Sequence, residues 1–218
     1  MELYEYIKES EELLAEFSGS LPDQVDAAAY GVPSKIPFKI FSSREALLHR
    51  ITDISGNAIS LAKSNQIVPA IILGRATMET AASLHLLTTK SQRYLDEKIS
   101  IEQLDDYLMR SMFGSKEEHT KYNVLSIQNA IDDVSIKHPN FGVLYERTCE
   151  IVHPSWPGVQ GGYADLQQEE HTLYLGKERT CLKWEDVWQP IAIGMRLFKL
   201  RYNEDLPVLE ALKEKLNG

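Results

Sequence analysis

The chain has 218 residues, 43% of them hydrophobic and 25% charged, ordinary globular values that exclude disorder and fibrous repeats. Its 32 acidic against 23 basic residues give a net charge of −9. A field of that sign repels polyanions, so any nucleic-acid contact has to come from a local basic patch. Two cysteines, Cys149 and Cys181, without C-x-x-C spacing, exclude a disulfide framework and a cysteine zinc site.

Residues 2–17 read as an amphipathic helix with Leu3, Ile7, Leu13, Leu14 and Phe17 on its apolar side. Its acidic start is unlike a secretory signal. From Ser18 to Phe41 the chain is broken by Gly19, Pro22, Gly31, Pro33 and Pro37. Prolines remove backbone donors and push their predecessors out of helical space, which predicts a long connector. Ser42-Ser-Arg-Glu45 has the form of a capping box opening a helix to about Asn65. Pro69 then sits in the first turn of the next helix, to about Thr89, which is apolar over most of its circumference. The run from Ile67 to Leu87 approaches membrane-spanning length, but Arg75 and Glu79 interrupt it, so a buried bundle helix is expected rather than a membrane span.

Ser100-Ile-Glu-Gln103 is a second capping box, opening a helix that Gly114 stops after Phe113. Asn123 is the expected cap of a helix ending near His138-Pro139, and Phe141 to His153 forms the next, terminated by Pro154. Gly158-Val-Gln-Gly-Gly162 reads as a loop, with one short β-hairpin expected near residues 160–182. Trp184 to about Tyr202 and Leu206 to Leu216 complete the helices. The fold class is therefore all-α: one helical domain over 1–218, with a core bundle of about 42–202 on which helix 2–17 packs.

Three constellations have chemical potential. Arg75 and Glu79, four apart on the most apolar helix, share one face, either as an ion pair tying helices together or as a polar site in the bundle interior. Glu146, Glu150 and His153 share a face of the later helix, where His153 meets the Pro154 break. It is either a capping histidine or one free to reach a cleft. Glu150-x-x-His153 also has the spacing of di-iron bundles, but no second Glu-x-x-His accompanies it. No metal or cofactor is therefore predicted. His49, His85, His119, His138 and His171 show no metal-ligand spacing, and His85 reads as a core histidine. Lys177-Glu-Arg-Thr-Cys-Leu-Lys183, ahead of Trp184 and Trp188, is either an exposed turn before a tryptophan-anchored helix or a strand-binding basic and aromatic patch.

Leu73-Gly-Arg75-Ala-Thr-Met-Glu79, with Tyr145-x-x-x-Cys149-Glu150-x-x-His153-Pro154 further along, resembles a family of uncharacterised bacterial helical proteins over roughly residues 45–157. More distantly, Arg147 followed after five residues by His153 resembles the HEPN superfamily, helical domains that often act as metal-independent endoribonucleases in toxin and phage-defence systems. That superfamily usually has Asn, Asp or His after the arginine, where this chain has Thr148. The resemblance implies His153 as general base or acid on a ribose 2′-hydroxyl, Arg147 as holder of the scissile phosphate, and Glu150 orienting His153. It also implies RNA as substrate, a homodimer placing the pair at its cleft, and an antitoxin or other protein as partner. A cytoplasmic protein without membrane contact is expected. The alternatives are a non-catalytic interaction or regulatory bundle, in which Arg75, Glu79 and His153 are structural, and a metal-dependent enzyme built on Glu79, Glu150 and His153.

Overall fold

The computed structural model describes residues 2–30, 34–116, 121–204 and 206–217. In chain order the helices are α1 (Leu3–Gly19), α2 (Ala27–Tyr30), α3 (Ile36–Lys63), α4 (Ile67–Leu95), α5 (Ile101–Phe113), α6 (Ile127–Lys137), α7 (Pro139–Val152), α8 (Trp156–Tyr163), α9 (Trp184–Glu204) and α10 (Leu206–Asn217). A hairpin of β1 (Ala164–Gln167) and β2 (Thr172–Leu175) and a 3-10 turn at Lys177–Arg179 lie between α8 and α9. The chain is thus an all-α bundle carrying one short hairpin.

The apolar circumference of α4 decides the architecture. A helix with no polar face must be surrounded, and α4 packs against α9, α3, α6 and α7. It is the one helix, among the described residues, long and apolar enough to cross a membrane, and most of it is buried inside the bundle. Its crossing with α9 is close because each helix offers a glycine there. A Cβ on Gly74 would lie 3.2 Å from the Pro190 ring, and one on Gly194 would lie 3.0 Å from the Met78 backbone nitrogen. Serine and threonine on the buried faces of α3 and α4 return their hydroxyls to carbonyls one turn back, as Ser55, Thr77 and Ser91 do. That satisfies them without a partner helix. One apolar cluster runs from Leu13 and Phe17 of α1 through α4 and α9 to Leu209 and Leu212 of α10, so both terminal helices contribute to the core.

Several boundaries differ from expectation. The connector is shorter than Ser18–Phe41, because α1 continues to Gly19 and α3 already begins at Ile36. Pro37 occupies the first turn of α3, where a missing N–H costs nothing, and so starts the helix instead of preventing it. Gly31 and Pro33 lie outside the described residues, as does His119. The Ser42–Glu45 box is consequently interior to α3; Glu45 accepts the Tyr202 hydroxyl at 2.6 Å and pairs with Arg44. The Ser100 box is present, with Gln103 reciprocating. Ser126, not Asn123, precedes α6, and the Asn123 carbonyl accepts the Arg110 Nε.

The Gly158–Gly162 segment is helical, not a loop. Pro157 opens α8, and the glycines serve close approach: a Cβ at Gly158 would stand 2.2 Å from the Ile151 carbonyl oxygen. The hairpin pairs Leu166 with Leu173 and Ala164 with Leu175. Alternation along each strand therefore puts three leucines on one of its faces, and all three are exposed.

His85 is in the core, with 1% of its surface exposed. Its Nε2 stands 3.2 Å from Asp133 Oδ2 on α6, but neither ring nitrogen has a hydrogen-bond partner. Burial, then the positive charge of Arg201, pushes its pKa from 6.5 down to about 4, against the pull of Asp133 and with the help of Lys137 and His138. The unfolded chain therefore binds a proton that the folded one refuses. Stability is full above about pH 6.5 and drains as pH falls toward 4, by roughly 3 kcal/mol at about 1.4 kcal/mol per pKa unit. Urea unfolding between pH 7.5 and 4.5 should show that slope, and His85→Gln should flatten it.

Candidate functional site

Helix α7 carries candidate residues on two faces. Pro139 in its first turn starts it, and the Pro154 break leaves His153 just past its end in extended conformation, φ −75° and ψ 150°. Inward, the Tyr145 ring is buried at 2% exposure. Its hydroxyl accepts Arg75 Nη2 at 3.0 Å and donates to Glu79 Oε1 at 2.9 Å. Arg75 Nε is 3.1 Å from the same Glu79 oxygen, and the guanidinium carbon is 5.1 Å from the Tyr145 ring centroid. The predicted Arg75–Glu79 pair exists, but it is a triad with Tyr145 that joins α4 to α7. Arg75 and Glu79 keep 21% and 25% of their side chains exposed, so the cluster stands at the bundle surface and is not sealed within it.

Burial, with the Glu79 carboxylate as acceptor, raises the Tyr145 phenol to about 12 even against Arg75. Burial likewise raises the neighbouring Cys149 thiol, which Arg75 only partly offsets. A protonated thiol is a poor nucleophile, so this cysteine is not primed for attack.

Outward, Arg147, Glu150 and His153 follow each other at intervals of three, the spacing of one oblique ridge along a helix. All three are exposed. Arg147 Nε donates to Asp186 Oδ1 at 2.6 Å, and this bond chiefly raises the arginine's pKa. The Asp186 side chain is only 9% exposed against 54% for Arg147, and its second oxygen accepts the Lys183 N–H at 3.0 Å, in the turn that starts α9. A buried carboxylate therefore anchors the root of an otherwise open guanidinium. Among the described residues no hydrogen bond joins the Glu150 carboxylate to the His153 imidazole, whereas the Glu150 carbonyl accepts the Ser155 hydroxyl at 2.6 Å.

Arg75 and Glu79 are thus brought to Tyr145, and Arg147, Glu150 and His153 to one exposed ridge of the same helix. Glu150 and His153 do not join Glu79, so the metal site once conceivable on these three residues does not assemble; among the described residues no three His, Cys, Asp or Glu side chains come together as a metal requires. Of the two tryptophans after the basic segment, Trp188 is in the core and Trp184 stays partly exposed. Sequence reasoning missed Asp186 as the anchor of Arg147. Its signal is faint: an acidic residue in a first helical turn, 39 residues away.

Removing the phenolic oxygen leaves Arg75 and Glu79 half-buried without their shared partner. Tyr145→Phe should cost about 1.5–3 kcal/mol, the range for hydrogen bonds to charged groups, read as a lower urea midpoint with unchanged helical circular dichroism.

No family model, curated protein or solved structure matches the chain.

Proposed function

We propose that the chain is a HEPN-like helical protein that cleaves RNA without a metal ion, using the α7 ridge of Arg147, Glu150 and His153. The observation carrying this reading is the Arg147–Asp186 bond. A guanidinium held at its root by a buried carboxylate and open at its outer edge is preorganised for an incoming phosphate. On the same ridge His153 is exposed, and imidazole is suited to moving protons near neutral pH.

In the proposed reaction His153 takes the proton of a ribose 2′-hydroxyl. The 2′-oxygen attacks the adjacent phosphorus while Arg147 holds the gathering negative charge, and Glu150 stands between them. The bond to the 5′-oxygen breaks, leaving a 2′,3′-cyclic phosphate. A homodimer supplies a second His153 to protonate the departing 5′-oxygen. Such an activity fits a cytoplasmic toxin or phage-defence protein, and an antitoxin partner would cover this ridge.

A second reading, a non-catalytic interaction bundle, is favoured by the three exposed leucines on one hairpin face. Their occupant is proposed to be a second copy of the chain. Leu166, Leu173 and Leu175 form one patch on the same hairpin face, and an isologous contact would bury that patch against itself.

Incubation of the purified chain with total RNA in EDTA separates the two. The nuclease reading expects fragments with cyclic phosphate ends. His153→Ala should slow cleavage by about 10²–10⁴-fold and Arg147→Ala by about 10²–10³-fold, both with wild-type circular dichroism. Intact RNA from a folded protein, or cleavage indifferent to His153→Ala, overturns it. A dimer by light scattering that Leu175→Asp converts to monomer, without RNA cleavage, favours the second reading.

A further inference from the structure

A second polar site lies away from the α7 ridge. Between α4, α5 and α6 is a cleft of about 330 Å³, with Lys90 on the α4 wall, Tyr107 and Arg110 on the α5 wall, and Asn129 and Asp133 on the α6 wall. That volume is at the lower end of small-molecule sites, roughly 300–1,000 Å³.

Two features of the cleft are unusual for a mere surface groove. Behind it stands His85, 1% exposed, with both ring nitrogens lacking a hydrogen-bond partner and one of them 3.2 Å from the Asp133 carboxylate that faces the cleft. A buried polar group without a partner is costly and calls for an explanation. In addition, the Lys90 ammonium forms no ion pair among the described residues, and neither the Asn129 amide nor the Tyr107 hydroxyl forms a hydrogen bond there. Arg110 is only partly committed, through Nε to the Asn123 carbonyl at 3.2 Å and a loose approach to Asp106 at 3.7 Å.

The charges select the ligand. Lys90 and Arg110 are balanced by Asp106 and Asp133 around the same cleft. A nucleotide or other polyanion would be repelled by the Asp106 and Asp133 carboxylates, and a polyamine by Lys90 and Arg110. A ligand with one carboxylate and one ammonium leaves no charge unmatched. We infer that this cleft binds a zwitterion of amino-acid size, its carboxylate at Lys90 and Arg110, its ammonium at Asp133, and its side chain along Leu86 and the Tyr107 ring. His85 is a positioning residue, since its ring backs the Asp133 carboxylate. The inference does not depend on the nuclease reading.

The test is thermal unfolding of the full chain with each of the twenty free amino acids at about 10 mM, pH 7.5, followed by calorimetric titration of any that stabilise. One or more should raise Tm by roughly 5 °C, as a Kd near 0.1 mM implies. The N-acetyl and methyl-ester forms of the same amino acid should bind at least tenfold more weakly, because each removes one of the two charges. Asp133→Asn and Lys90→Met should each weaken binding at least tenfold. Lys90 is partly exposed, so Lys90→Met keeps the test available if Asp133→Asn is poorly folded. No stabilisation by any amino acid, or blocked forms that bind as well as the free one, overturns the inference and leaves the cleft as a hydrated groove over a strained histidine.

Discussion

A helix of 29 residues with apolar side chains around most of its circumference cannot face water on any broad side. α4 is that helix, and its need for cover orders everything else. α3, α6, α7 and α9 are arranged around it, and the crossing with α9 is a close one, where Gly74 meets the Pro190 ring and Gly194 meets the α4 backbone. Polar residues within this shell are accommodated in two ways. Hydroxyls turn back onto their own helix, whereas ionisable groups reach the surface of the shell, where Arg75 and Glu79 find Tyr145. His85 does neither: among the described residues it is the buried side chain left with two polar atoms lacking a hydrogen bond, whereas Ser43, Arg44 and Arg75 each leave one.

Because α7 leans on α4 through Tyr145, its exposed ridge is held at a fixed orientation to solvent. The inward triad thus acts at one remove on the outward ridge. Losing the phenolic bonds would loosen the platform on which Arg147, Glu150 and His153 stand, without touching any of them. The ridge has a second support in Asp186, so α9 and α4 together position it.

Much of this was legible from local patterns. The Ser100–Gln103 box, the Gly114 stop, the apolar run of α4, the Pro154 break and the hairpin near residue 170 are all read from neighbours within a turn or two, and the structure contains them. The failures come from signals with two meanings. Pro37 looks like a breaker but is a helix starter when it falls in the first turn, and the Ser42–Glu45 spacing mimics a cap inside a longer helix. Glycines at 158, 161 and 162 signal turns in isolation, yet here they permit backbones and side chains to approach a helix closely. In the site, the Arg75–Glu79 pairing follows from spacing alone, whereas Tyr145 joins that pair from 66 residues away and Asp186 reaches Arg147 from 39, beyond any local rule.

Pro190 has one effect that reaches past the α4–α9 crossing. Lacking an N–H, it cannot bond the carbonyl four residues back, and that carbonyl belongs to Asp186. The opening turn of α9 thus lacks one ladder bond, while the Asp186 side chain accepts the Lys183 N–H just ahead of it. The residues around that missing bond, Asp186, Val187, Trp188 and Pro190, are all buried, so core packing holds the carboxylate that grips Arg147 where the ladder does not. Asp186, Pro190 and Gly194 are spaced four apart on one row of α9, so the row that closes on α4 at Gly74 and Met78 also carries the carboxylate that holds the guanidinium.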